Sequence, residues 1–120
     1  LYPEKPLDRE SSRKIDEDKD TLHFAAFAAD VIVGCVSLLR EPAHECELRI
    51  RWLAVDSEWR GSGIGSELVR TCLQESRERG IWCNARISAV SLYERLSFVK
   101  MGGEFQIPEI GPHYLMRHKI

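Results

Sequence analysis

The stretch Arg60-Gly61-Ser62-Gly63-Ile64-Gly65 stands between a strand-like run ending at Val55 and a helix-like run beginning near Gly65. That junction restricts the fold more than any other feature. A strand that feeds a glycine turn and then an amphipathic helix calls for a layered α/β arrangement, because the helix must bury its apolar stripe against the strand's own sheet. Glycines at alternate positions let the backbone take positive φ and approach a ligand closely. The N–H groups of the following helical turn lack intrahelical acceptors and carry the positive end of the helix dipole. Such a turn suits an anion, phosphate above all, and Arg60 adds a forked permanent charge.

The 120 residues suffice for one domain, taken as residues 1–120, and are too few for two. With 43% hydrophobic and 30% charged residues and a net charge of −2, the composition is that of a globular protein with no electrostatic pull toward nucleic acid or an anionic membrane. No apolar run approaches the roughly 18 residues of a membrane span, and no signal-peptide pattern opens the chain. Cys35, Cys46, Cys72 and Cys83 form no C-x-x-C pair and fall inside strand or helix patterns, so reduced buried thiols are expected rather than disulfides. These features read together as a cytoplasmic protein. The first residue is Leu1 rather than Met, so a trimmed version of a longer chain is expected.

Residues 1–20 are rich in charge and proline, with a short helix near residues 7–14. Residues 22–28 and 31–39 read as two strands of a hairpin joined through Ala29-Asp30, and residues 41–45 as a loop. From Glu47 onward Leu48, Ile50 and Trp52 alternate with Arg49 and Arg51, until Leu53 follows Trp52 directly and the parity breaks. A β-bulge near Trp52-Leu53 accounts for the break and would free backbone polar groups from the ladder. After the glycine turn, Ile64, Leu68, Val69, Cys72 and Leu73 recur at helical spacing, with Gly80 as the stop. Residues 81–85 form a short strand placed to pair parallel with the one before the helix. A short helix over residues 88–96 and strands over residues 98–105 and 114–117 complete the chain, the last two separated by residues 106–112.

The Arg-x-x-Gly-x-Gly spacing resembles the pyrophosphate-binding signature of the GCN5-related N-acetyltransferases, the GNAT family. Ala89-Val90-Ser91-Leu92-Tyr93-Glu94-Arg95-Leu96-Ser97-Phe98 resembles that family's second motif, and Asn84-Ala85-Arg86 with Gly111-Pro112-His113-Tyr114-Leu115-Met116 is similar to its ElaA-like branch. The likeness runs over about residues 21–120. It departs at Ser97, where the family usually has glycine, at Arg86, where it often has asparagine, and at the front, where the family's first strand has no counterpart. The resemblance implies an acyl-CoA N-acyltransferase fold: a mixed, mainly antiparallel sheet, helices on both faces, splayed at the bulge to admit acetyl-CoA. An absent first strand would leave a sheet edge open and favour a homodimer.

The same resemblance implies transfer of an acetyl group from acetyl-CoA to a primary amine of a small molecule or peptide, with no metal. The backbone of Leu53, Ala54 and Val55 would then bind pantetheine, and Arg60, Gly61, Ser62, Gly63, Ile64, Gly65 and Ser66 the pyrophosphate, with Asn84 also toward the cofactor. Tyr93 is placed as the acid at the departing sulfur. An alkylamine is only about one part in a thousand neutral at pH 7, so a base must offset about 4 kcal/mol of deprotonation. Glu47 and His113 are the two candidates, because the place where relatives carry a glutamate holds Arg49, which accepts no proton. Arg49 and Arg51 are read instead as holders of an acceptor carboxylate.

Other readings are weaker. His44-Glu45-Cys46-Glu47 has metal-ligand types, yet consecutive residues of an extended segment point to alternating faces. Trp52, Trp59 and Trp82 are read as core or rim packing rather than as stacking platforms. A dinucleotide-binding fold is disfavoured by the missing sixth-position glycine and by Asn84-Ala85-Arg86 where an acidic residue belongs. The remaining rival is a non-catalytic coenzyme A-binding or interaction module of the same fold.

Overall fold

Alternating apolar and polar side chains build the front half of the molecule as an antiparallel meander. In the computed structural model, which describes residues 12–17 and 21–118, it comprises Ser12–Glu17 (β1), Thr21–Ala28 (β2), Val31–Ala43 (β3) and Cys46–Val55 (β4). Phe24 pairs with Val36, Leu22 with Leu38, and Leu38 in turn with Ile50, which puts these side chains on one buried face. Ala29-Asp30 is the turn between β2 and β3, as expected, and Ala29 itself takes φ 54° in place of a glycine.

Three expectations about this half need correction. The edge of β2 is not open: β1 pairs with it, Ser12 opposite Ala26 through Glu17 opposite Leu22, so the case for a homodimer built on a bare edge loses its basis. The helix expected near residues 7–14 lies partly outside the described residues, and from Ser12 the backbone is strand. Residues 41–45 are not a loop, for β3 runs to Ala43 and turns tightly through His44 and Glu45, at φ 55° and 65°. Pro42, which has no N–H to give, falls where the β3–β4 register shifts between Arg40 and Ala43.

The helix Ile64–Ser76 (α1) lays Ile64, Leu68, Val69 and Cys72 on the buried face of the meander. It stops at Ser76 rather than at Gly80, with Arg77 and Glu78 left-handed at φ 51° and 71°. Gly80 serves another purpose. A Cβ there would meet Cys46 Sγ at 3.0 Å and Cys46 Cα at 3.2 Å, while its carbonyl accepts from Glu47 N at 3.2 Å and Leu48 N at 3.0 Å. The bare backbone at Gly80 therefore brings the next strand, Ile81–Arg86 (β5), against the start of β4.

A one-turn segment, Ile87–Ala89, leads into the helix Val90–Arg95 (α2). The single strand expected over residues 98–105 is instead two short pieces, Val99–Lys100 (β6) and Phe105–Ile107 (β7), both pairing with Gly111–His118 (β8). Residues 106–112 are thus largely a hairpin rather than a spacer. The sheet order is β1-β2-β3-β4-β5-β8-β6, with β7 on β8, and only β4 and β5 run parallel. Among the described residues both helices pack on one face, not on both, joined through a single core that includes Leu68, Cys72, Cys83, Tyr93, Phe98 and Met116. All four cysteines are free; Cys46, Cys72 and Cys83 are buried. No helix among the described residues is long and apolar enough to cross a membrane.

Candidate active site

The broken parity on β4 is a β-bulge at the residues the sequence indicates. Cys35 faces Ala54 and Ser37 faces Arg51, so Trp52 and Leu53 together oppose Val36 alone. Trp52 takes φ 55°, and its side chain is 61% exposed. On its other side β4 pairs with β5 only at Leu48–Ile81 and Arg49–Trp82. Beyond Arg49 the two strands diverge, because β5 keeps its ladder with β8 as far as Arg86–His113. A gap opens there, and the backbone of Leu53, Ala54 and Val55 forms the end of its β4 wall.

The glycine turn sits at the mouth of that gap. Asp56 donates its N–H to Val33 O at 2.8 Å and accepts from Glu58 N at 2.9 Å, capping the turn Ser57–Trp59, whose Trp59 is buried as an anchor. Ser62 Oγ donates to the Trp59 carbonyl. Gly61 and Gly63 take φ 81° and 92°, and a Cβ on either would meet nothing within 4 Å. Their freedom serves a turn facing open space. Gly63 is the N-cap of α1 without a side-chain cap, and Glu67 N makes the first helical bond to Gly63 O at 3.0 Å. The N–H groups of Ile64, Gly65 and Ser66 therefore have no intrahelical acceptor. Arg60 is exposed beside them.

Gly65 differs from its two neighbours. It is helical, and a Cβ there would lie 2.8 Å from Leu92 Cδ1 and 3.8 Å from Val55 Cγ2. It lets α1 close on α2 and brings the helix N-terminus beside the end of β4. The three glycines thus divide into two that shape the turn and one that permits packing.

Tyr93 on α2 is 3% exposed, hydrogen-bonded through its hydroxyl to Cys83 on β5 and edge-on to Phe98 at 5.0 Å. Burial, followed by the nearby Cys83 and Cys72, pushes the phenol well above its ordinary value, so it keeps its proton. Cys83 is pushed up to about 12, mainly by burial, against the opposing effects of the Tyr93 bond and Arg49. It is a packed thiol and not a nucleophile. Its partnership with Tyr93 had no signal in the sequence beyond the place of Cys83 in an apolar strand.

The two base candidates stand at opposite ends of the β4–β5 pair. Glu47, second residue of β4, stands at the paired end, where its carboxylate meets Arg79 at 3.2 Å. His113 stands at the other end, opposite Arg86, buried at 4% exposure with Nδ1 2.8 Å from Gly111 O. A proton on Nδ1 donated to that carbonyl leaves Nε2 as the acceptor. Asn84, half-buried opposite Leu115, shares the sheet face of His113. Of the two arginines, Arg49 is held by Glu41 at 2.8 Å and lies over the Trp82 ring at 4.5 Å, while Arg51 lies over the Trp52 ring at 4.3 Å. His44 packs edge-on to Trp82 at 4.8 Å, and among the described residues no three His, Cys, Asp or Glu side chains converge to hold a metal.

The family model described as an acetyltransferase (GNAT) domain matches residues 4–116. Human N-acetyltransferase 8B is 37% identical over 91 residues, which cover 68% of this chain and only 40% of that protein. The uncharacterized N-acetyltransferase YitI of Bacillus subtilis is 29% identical over 110 residues, 86% of this chain and 74% of that protein. Among solved structures, Escherichia coli ElaA shares the fold with a TM-score of 0.71 at 19% identity, over 85% of this chain and 70% of that one.

Proposed function

The chain belongs to the GNAT acetyltransferases, and on that premise we propose that it transfers the acetyl group of acetyl-CoA directly to a primary amine of a small molecule or peptide. The observation that carries this reading is the gap between β4 and β5, with a bulge in one wall and an uncapped helix N-terminus at its mouth. In this reading the free N–H groups of Ile64, Gly65 and Ser66, the turn Gly61-Ser62-Gly63 and the Arg60 guanidinium hold the pyrophosphate. The unpaired β4 edge at Leu53, Ala54 and Val55 hydrogen-bonds the pantetheine amides as an added strand would, and Asn84 faces the gap from β5.

The reaction then needs orientation, carbonyl polarisation and two proton movements. The amine nitrogen bonds to the thioester carbonyl carbon and the carbon–sulfur bond breaks. His113 Nε2, directly or through a water, takes the amine proton; Glu47, occupied by Arg79 at the far end of β4, is left a structural role. Tyr93 exchanges its Cys83 partner for the departing sulfur and supplies it first with a hydrogen bond, then with a proton.

The test is release of the coenzyme A thiol from acetyl-CoA across a panel of amines, with Tyr93→Phe as the comparison. At least one amine should support turnover, and Tyr93→Phe should lower kcat about 100-fold with acetyl-CoA affinity unchanged. Wild-type kcat in Tyr93→Phe would remove the tyrosine from the chemistry. Tight acetyl-CoA binding with no transfer to any amine would make the chain a non-catalytic coenzyme A-binding module.

A further inference from the structure

Resting on the transfer reading above, we propose that the acceptor is an amine bearing a carboxylate within a few bonds of the reacting nitrogen, and that Arg51 binds that carboxylate. Arg51 immediately precedes the bulge, on the sheet face opposite the helices. Its register neighbour on β3 is Ser37, which is buried and bonded to His23 Nδ1 at 2.7 Å, so a row of polar groups crosses β2, β3 and β4 beside the gap. In the transfer reading, a cation here stands one residue from the bulge that admits acetyl-CoA.

The neighbouring arginine of β4 and the two at its paired end are already engaged. Arg49 is held by Glu41, Arg79 by Glu47 and Arg117 by Glu45. Among the described residues no carboxylate is in ion-pair contact with Arg51, whose guanidinium lies instead over Trp52. This divides the two strand arginines that the sequence offers together: Arg49 is neutralised and fixed, whereas Arg51 has no ion-pair partner among the described residues.

Trp52 gives the second observation. A non-glycine residue at φ 55° is strained, and a tryptophan 61% exposed leaves a large apolar surface in water. Both costs fall on one residue, and the result is a ring against which the Arg51 head rests, 4.3 Å from the centroid, at the bulge itself. A guanidinium over a ring keeps its N–H donors for other partners, and its forked donors match a carboxylate through two parallel hydrogen bonds. Because Arg51 is adjacent to the bulge residues, the anion it holds must be close to the amine, as in a free amino acid or a derivative with its carboxylate intact. A lysine side chain within a protein carries no such group.

The experiment compares matched acceptors: phenylalanine, phenylalaninamide and phenethylamine, and the same three forms of leucine, in acetyl transfer by the wild type, Arg51→Ala and Arg51→Lys. Acetyl-CoA binding by each protein is measured in parallel. The wild type should favour the carboxylate member of each set by at least about tenfold in kcat/KM, the amount one charge-assisted contact commonly supplies. Arg51→Ala should erase that preference through KM while binding acetyl-CoA as before, and Arg51→Lys should restore part of it. Equal use of acid, amide and amine by the wild type, or a carboxylate preference that survives in Arg51→Ala, would overturn the proposal. Loss of acetyl-CoA binding by the wild type would overturn the transfer reading itself, an outcome separate from either.

Discussion

Ser97 occupies a backbone position that glycine fills at lower cost. It sits at φ 72° just after α2, its N–H bonded to Glu94 O at 3.0 Å, and an L side chain in that region is strained by about 1 kcal/mol. Ser97→Gly should therefore raise unfolding stability by about 0.5–1 kcal/mol, read as a higher urea midpoint at unchanged slope. An unchanged or lower midpoint would mean the turn is held without strain. The positive φ of this residue was legible in the sequence, because the family's usual glycine at that place marks a turn that needs it. His44, Glu45, Arg77 and Glu78 also have positive φ, yet none is a glycine or asparagine, and their conformations follow from strand pairing and helix exit rather than from local preference.

At the scale of elements, the junction of α1 and α2 depends on Gly65. Adding one methyl places it 2.8 Å from Leu92 Cδ1, so Gly65→Ala should destabilise the fold by about 1–3 kcal/mol despite alanine's better helix propensity. In a Leu92→Ala background the added cost should nearly vanish, a coupling that a double-mutant cycle of urea midpoints measures. Equal costs in both backgrounds would place the strain elsewhere. The helix α1 was legible from Ile64, Leu68, Val69 and Cys72, and the bulge from the broken parity at Trp52-Leu53, because both are periodic signals. The strand expected over residues 98–105 was not, since a mixed apolar run does not say where the ladder is interrupted. The paired pieces there are a two-residue edge strand with Val99 56% exposed and a separate hairpin arm.

Across the whole molecule, the shared core under both helices makes stability fall with alkaline pH. Cys72 and Cys83 are raised from 9.0 to about 12, mainly by burial, so the folded state holds thiol protons that the unfolded chain releases. Their contribution is full below the unfolded value and is lost as pH rises from 9.0 toward about 12. The urea midpoint should drop between about pH 8 and about pH 10.5, and a Cys72→Ala variant should show a shallower drop; the same slope in both would assign the effect to other groups. The gap between β4 and β5 is the part of the site least legible in sequence. It arises where β5 leaves β4 for β8, a long-range choice of partner that no local pattern carries, and Glu47 and His113 fall at opposite ends of it. The phosphate turn, by contrast, is local and was readable from its glycines. A calorimetric titration of acetyl-CoA into the wild type and into Gly63→Glu, each checked for cooperative unfolding, tests the turn and its ligand together. Saturable binding of one acetyl-CoA per chain is expected for the wild type and none for the folded variant, whose side chain puts a carboxylate where the pyrophosphate would lie. No saturable binding by the wild type, or equal binding by both, would contradict that expectation.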